Sequence, residues 1–301
     1  MIQKKAFSLA LTLWIVAILS LLSVYYLDYG KKVVKKSSQL QIKLQLILES
    51  ESMVELIKFY GATGVFVENR LENHILKEKI KNFPDKLFID SHATVSGNTT
   101  ILLQDTAGLI DISDISMIVD YVAEDKEKKA IIKDSMLDWY DDDDLSLLNG
   151  AEKSYYNGTI VRNENYFAAA EELFLIRGLN HLSTVRHKQL LSNLILSDGG
   201  GTYNLFTLKD DILKSRYKLT DSDMEQLLKE KKKGLKSFKV LFDFLNKRRF
   251  INFEQDGIYP SNILRGEIVS SYKNVQDKIE FLIDFNVKDE KKIFEVLYYK
   301  N

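Results

Sequence analysis

Five carboxylates fall within seven residues of this chain, at Asp138, Asp141, Asp142, Asp143 and Asp144. Like charges this close repel one another, and the repulsion opposes any ordered conformation unless a cation neutralises it. Among cations, calcium suits the run best. It takes six to eight hard oxygen ligands in irregular geometry, and carboxylates, backbone carbonyls and water all serve. Zinc would call for His or Cys, and the chain has four scattered histidines and no cysteine. The spacing is not that of an EF-hand, which needs Gly at the sixth position and Glu at the twelfth. Read from the residues alone, a solvated acidic loop stands beside the calcium site as the plainer alternative.

Other residue groups carry weaker chemistry. His74, His92, His181 and His187 are dispersed, and the six-residue gap between the last two does not put them on one helix face. Gly199, Gly200 and Gly201 lack the Gly-Lys-Ser/Thr that a phosphate loop requires, so they read as a turn. Paired carboxylates permit acid–base chemistry, but no nucleophile or oxyanion site accompanies them, and a non-enzymatic role without a small-molecule substrate is expected. KEKKKGLK at 229–236 and KRR at 247–249 form a basic stretch, either a solvated helix face or a partner surface. The chain as a whole carries 42 basic and 43 acidic residues, so no global field exists to hold nucleic acid.

The elements around the acidic run read as follows. FSLALTLWIVAILSLLSVYYL, residues 7–27, holds no charge and as a helix spans about 30 Å of hydrocarbon. Trp14 lies inside it, and Tyr25, Tyr26 and Tyr29 stand at its far end, where aromatic rings favour the interface. A cleaved signal peptide is the competing reading, although Tyr-Tyr-Leu-Asp-Tyr supplies no small-residue cleavage site. Lys31, Lys32, Lys35 and Lys36 outnumber Lys4 and Lys5, so charge bias alone favours the reverse of an outward carboxyl side. Val33, Leu40, Leu44, Ile47 and Val54 then predict an amphipathic helix continuous with the span and interrupted at Gly61 and Gly64. KLFID, TVSG and TTILLQD predict strands, as do RGEIVSSYKN, KIEFLIDFN and, with a terminal helix as the alternative, KKIFEVLYYK. Helical patterns dominate from about 113 to 249.

Two resemblances organise these elements. The start, a short basic leader followed by Ala6-Phe7 and an unbroken apolar helix, looks like a type IV prepilin leader cut between Ala6 and Phe7. Pilins usually carry Gly where Ala6 stands, and major pilins carry Glu at the fifth mature position, here Leu11. The segment LDWYDDDDLSLLNGAEKSYY, 137–156, followed by RNENYFAAAEELFLIRGLN, resembles the minor pseudopilin K family of bacterial type II secretion systems. That family carries Asp-Trp, an aspartate-rich turn, Gly-Ala-Glu, a Tyr-Tyr pair and a Glu-Leu helix ending in Arg-Gly. QDTAGLIDIS at 104–113 and GGGTYNLFTLKDDIL at 199–213 are weaker echoes of the same family.

The resemblance implies an α+β fold, with a pilin-like long N-terminal helix packed on a small antiparallel sheet and a large inserted all-helical domain. Its expected divisions are a leader at 1–6, a transmembrane helix at 7–29, a pilin-like domain at 30–112 and 251–301, and the insert at 113–250. It implies a structural subunit at the tip of a periplasmic pseudopilus, single-pass in the bacterial inner membrane, with the C-terminal domain in the periplasm. Its implied partners are prepilin peptidase and the minor pseudopilins I and J. A tip minor pilin of a type IV pilus and a signal-anchored periplasmic enzyme are the alternatives. Leu11 fits a tip position, because a subunit with nothing above it has no terminal amine to pair with a buried Glu. Matched residue by residue, the family's calcium ligands fall on Asp138, Asp141, Asp143 and Glu152, for one or two ions. An acidic position that often follows the glutamate is Lys153 here.

Overall fold

The computed structural model describes residues 2–73, 83–84, 86–157, 165–196, 203–249, 257, 259–286 and 294–300. Helix α1 runs from Ile2 to Thr63, 62 residues and about 93 Å at the usual rise. It is the one described helix long and apolar enough to cross a membrane. Every side chain from Leu11 to Tyr29 is exposed, so this length packs on nothing among the described residues. Its hydroxyls are satisfied locally: Ser20 and Ser23 donate to the carbonyls of Val16 and Leu19, one turn back.

Beyond the apolar length, α1 becomes the spine of a sheet domain, on a stripe that shares Val54 and the half-buried Ile47 with the predicted one. Val33, Leu40 and Leu44 are exposed, and the face that packs begins at Leu46 and continues through Ser50, Val54, Ile57 and Tyr60. Gly61 does not interrupt the helix. It lies within α1, where any Cβ would collide with the ring of Phe285. The helix ends only before Gly64.

Among the described residues, ten strands and six further α-helices follow. The first strands are β1 (Val65–Val67), β2 (Arg70–Glu72), β3 (Lys86–Phe88), β4 (Thr94–Ser96), β5 (Thr99–Asp105) and β6 (Ile110–Asp111). Next come α2 (Ile115–Val122), α3 (Lys126–Tyr140), α4 (Thr184–Asn193), β7 (Leu194–Ile195), α5 (Asp210–Arg216), α6 (Asp221–Lys231) and α7 (Leu235–Arg249). The chain closes with β8 (Ile263–Tyr272), β9 (Val275–Asp284) and β10 (Glu295–Lys300), the last a strand rather than a helix.

The antiparallel sheet β10-β9-β8-β5-β4 lies on α1, with β1-β2-β3 as a smaller antiparallel sheet beside it. Alternate residues of the long strands face inward, as the period of two requires. Ile101, Ile268 and Ile279 sit opposite one another across β5, β8 and β9, and with Val54, Ile57 and Phe281 they form one core. A second core gathers Ile118, Met136, Trp139, Leu173, Ile212, Phe238 and their neighbours from α2 to α7. Helices dominate this insert. Two features add to them: β7 pairs in parallel with β6, and the described residues between Asp141 and Ser183 hold only a 3₁₀ turn, Ala170–Leu175.

The two cores meet at Asp105, the last residue of β5 and fully buried. Its carboxylate accepts from Asn204 Nδ2 and Thr207 Oγ1 at 2.9 Å each on one oxygen. On the other it accepts from Ser261 N at 3.0 Å, Ser261 Oγ at 2.6 Å and Ala107 N at 3.3 Å. Strand end, insert and returning chain are thereby fixed to one acceptor.

Candidate metal centre

The acidic segment begins where α3 stops. Asp125 caps the start of α3 by accepting from the backbone N–H groups of Glu127 and Lys128. Ile132, Ser135, Met136 and Trp139 form its buried stripe at helical spacing. Asp138 lies on that stripe with no exposed surface. At Asp141 the backbone turns extended while its N–H still bonds to Leu137 O, so the next three aspartates leave the helix together.

A short loop then returns over the helix end, organised by carboxylates and by one arginine. Asp143 accepts from Leu145 N at 2.7 Å, and Asp138 accepts from Leu147 N at 3.2 Å on both oxygens. Asp134 takes Asn149 N and Nδ2 at 3.1 and 2.9 Å. Arg177 Nη1 donates to the carbonyls of Asn149 and Gly150, and its guanidinium lies 5.1 Å from the Tyr155 ring centre. Gly150 is required here, since a Cβ at this position would collide with the Asp138 carboxylate. Trp139 meets Tyr156 edge to face at 5.3 Å, which seals the base of the loop.

This return brings Glu152 beside the aspartates. One carboxylate oxygen each from Asp141, Asp143 and Glu152 lies within 4.8 Å of the others. Two oxygens bound to one calcium ion are at most about 4.6–5.2 Å apart, twice the usual ligand distance, so the spacing fits such an ion. Both oxygens of Glu152 and Oδ1 of Asp141 are buried without a hydrogen-bond partner among the described residues. A buried carboxylate without donors is costly, and the neighbouring acids add to that cost. Burial pushes the Glu152 carboxyl above the usual range, with Asp138 and Asp141 adding to the shift. Asp141 is pushed up likewise, first by burial and then by Asp143 and Asp138. Hard oxygens, an unmet need for positive charge and no His beside them among the described residues give a donor set that can accept a hard divalent cation.

The expected ligands therefore divide. Asp141, Asp143 and Glu152 converge, whereas Asp138 bonds to the loop backbone and acts on the cluster through its charge. Lys153 pairs with the exposed Asp144 at 3.2 Å, on the rim. Asp134 and Arg177, which hold the loop from outside the acidic run, were not singled out by the sequence. The 3₁₀ turn at 170–175 stands where the resemblance implies a helix ending in Arg177-Gly178. Among the histidines, His92 Nδ1 lies 2.7 Å from Asp90, His187 stacks on Phe174, and His181 is exposed. His74 and Gly199–Gly201 lie outside the described residues, and Ala6 and Phe7 fall within the helical backbone of α1.

No protein-family model matches the sequence, and neither does any curated protein. Among solved structures, the chain is similar to one chain of the GspK–GspI–GspJ complex from the enterotoxigenic Escherichia coli type 2 secretion system. The match covers 88% of this chain and 98% of that one, with a TM-score of 0.52 and 13% identity. Spine, sheet and helical insert together are thus a GspK-like, pilin-like α+β fold.

Proposed function

We propose that this protein is a minor pseudopilin at the tip of a type II secretion pseudopilus, a structural subunit for protein export across the outer membrane. The observation that carries the reading is the GspK-like fold over 88% of the chain, including both spine and insert. In this reading α1 enters the bacterial inner membrane, prepilin peptidase cuts between Ala6 and Phe7, and the C-terminal domain lies in the periplasm. The apolar half of α1 joins the filament core. The insert, with a core larger than the sheet domain's, is too bulky to stack beneath another subunit and so caps the fibre. Leu11 at the fifth mature position supports a place with no subunit above. The minor pseudopilins I and J are the partners in this reading, as GspI and GspJ accompany GspK in the similar complex.

Within the same proposal, Asp141, Asp143 and Glu152 hold calcium, with Asp138 tying the loop beside them. The ion supplies the positive charge that the buried carboxylates lack, and its role is to order the loop rather than to react. Intact mass and amino-terminal sequence, after expression with the cognate prepilin peptidase, test the assignment. A methylated chain starting at Phe7 that co-isolates with I and J is expected. A chain that keeps Met1–Ala6, or is cut beyond Tyr29, removes the filament mechanism.

A further inference from the structure

The α6–α7 hairpin presents an outer face that neither core uses. Inward, Phe238 and Phe242 pack on Phe206 and Tyr217 at ring distances of 5.3 and 4.8 Å. Outward, Val240 and Phe244, one turn apart on α7, are 66% and 60% exposed. They line a groove of about 710 Å³ between the two helices, whose rim includes Gln226, Lys229, Lys236 and one acid, Glu230. An exposed phenylalanine alone needs no explanation, but a pair lining a concave surface marks an interaction site.

The charge around this groove is one-sided. Residues 229–245 carry six lysines against two acidic residues, in a chain whose overall charge is −1, and of these Lys231 turns inward to Asp90. Lys229, Lys232, Lys236 and Lys239 are exposed and make no ion pair among the described residues, whereas Lys233 pairs with Glu230. An occupant must therefore bring carboxylates together with an apolar anchor.

Position excludes the chain's own membrane as that occupant. Leu235 N donates to Glu68, five residues beyond the end of α1 at Thr63. The apolar span closes at Leu27, and the 36 residues from there to Thr63 extend about 54 Å along the helix. The hairpin thus sits at the far end of the spine. We infer that the α6–α7 groove docks an acidic segment of another protein, with apolar side chains seated on Val240 and Phe244 and carboxylates facing the lysine rim. This goes beyond the tip assignment, and only the exclusion of the membrane leans on the anchoring of α1.

The test uses the full-length protein in neutral-lipid nanodiscs and a fluorescent helical peptide of about 14 residues, with two leucines one turn apart flanked by glutamates. Saturable binding is expected, weakening about tenfold between about 50 and 300 mM salt. Lys229→Glu with Lys236→Glu is expected to weaken it at least about tenfold, and Val240→Ser with Phe244→Ser to abolish it. Unchanged thermal melting would show that these surface variants remain folded. The same peptide with Lys for Glu should not bind. No saturable binding, equal binding of the lysine peptide, or indifference to the charge reversal overturns the inference. Displacement of the peptide by phosphatidylglycerol vesicles overturns it too, since the face would then be lipid-directed. None of these results depends on prepilin processing.

Discussion

Asp105 and Glu152 are both acids removed from water, at 0% and 4% exposure, yet they are accommodated in opposite ways. Asp105 receives five hydrogen bonds from three segments of the chain. Glu152 receives none among the described residues and faces further carboxylates. The same charge is thus solvated internally at the joint between the cores and left unsolvated in the acidic loop. Donors built into the fold make Asp105 a permanent structural acceptor. Donors withheld from Glu152 and from Oδ1 of Asp141 among the described residues leave a deficit that a cation can fill, and in the proposed reading loop order then depends on that ion.

The contrast is broken most severely by removing Asp105. Asp105→Ala leaves the buried donors of Asn204, Thr207 and Ser261 without their acceptor and is expected to cost about 3–5 kcal/mol. The loss should be the same in calcium and in chelator, as read by circular-dichroism melting in both. A loss seen only in calcium would mean that the joint and the loop are one linked unit. Asp141→Ala with Asp143→Ala should behave in the opposite manner. With calcium at about a hundred times its dissociation constant, binding contributes about 2.7 kcal/mol, and the double variant should forfeit that gain. In chelator it should change little, because repulsion among the acids is relieved as contacts are lost. Equal loss in both conditions would assign the aspartates a structural role without metal.

How much of this was legible in the sequence depends on how local each cause is. The strands 99–105, 263–272 and 275–284 follow from alternation and turn signals, and the apolar span from its length and lack of charge. The predicted stripe of α1 holds at Val54 and in part at Ile47 but not before them, since Val33, Leu40 and Leu44 face outward and the sheet begins to meet the helix only near Lys43. Gly61 suggests a break, yet Phe285, distant in sequence, is what makes a glycine necessary inside the helix. In the site, the aspartate run announces itself, but Glu152 came only through resemblance. Arg177 and Asp134 act through contacts 27 and 15 residues away, which no local pattern encodes. The Asp105 node joins residues 99 to 156 positions apart.

A smaller effect separates loop geometry from loop charge. Gly150→Ala adds no charge but forces a Cβ into the Asp138 carboxylate, displacing the turn that brings Glu152 to the aspartates. A cost of about 1–3 kcal/mol is expected in chelator, together with weaker calcium binding in an isothermal titration. Unaltered calcium affinity would show that Glu152 reaches the ion independently of the turn.

The finest change is Lys153→Glu, which puts a carboxylate on the rim where a lysine now pairs with Asp144. Both partners are largely exposed, 54% and 75%, so the pair itself contributes no more than about 0.5 kcal/mol. Without calcium the variant should therefore melt slightly lower, since it loses a weak ion pair and gains a like charge. With calcium the sign should reverse, because the added oxygen sits beside Glu152 at the edge of a set still short of the six to eight ligands the ion takes. A two- to threefold gain in affinity, about 0.5 kcal/mol, is the expected size. Should the variant bind calcium more weakly instead, the Lys153–Asp144 pair would be holding the loop in its binding form, and the rim would belong with Asp105 as a fixed element of the fold.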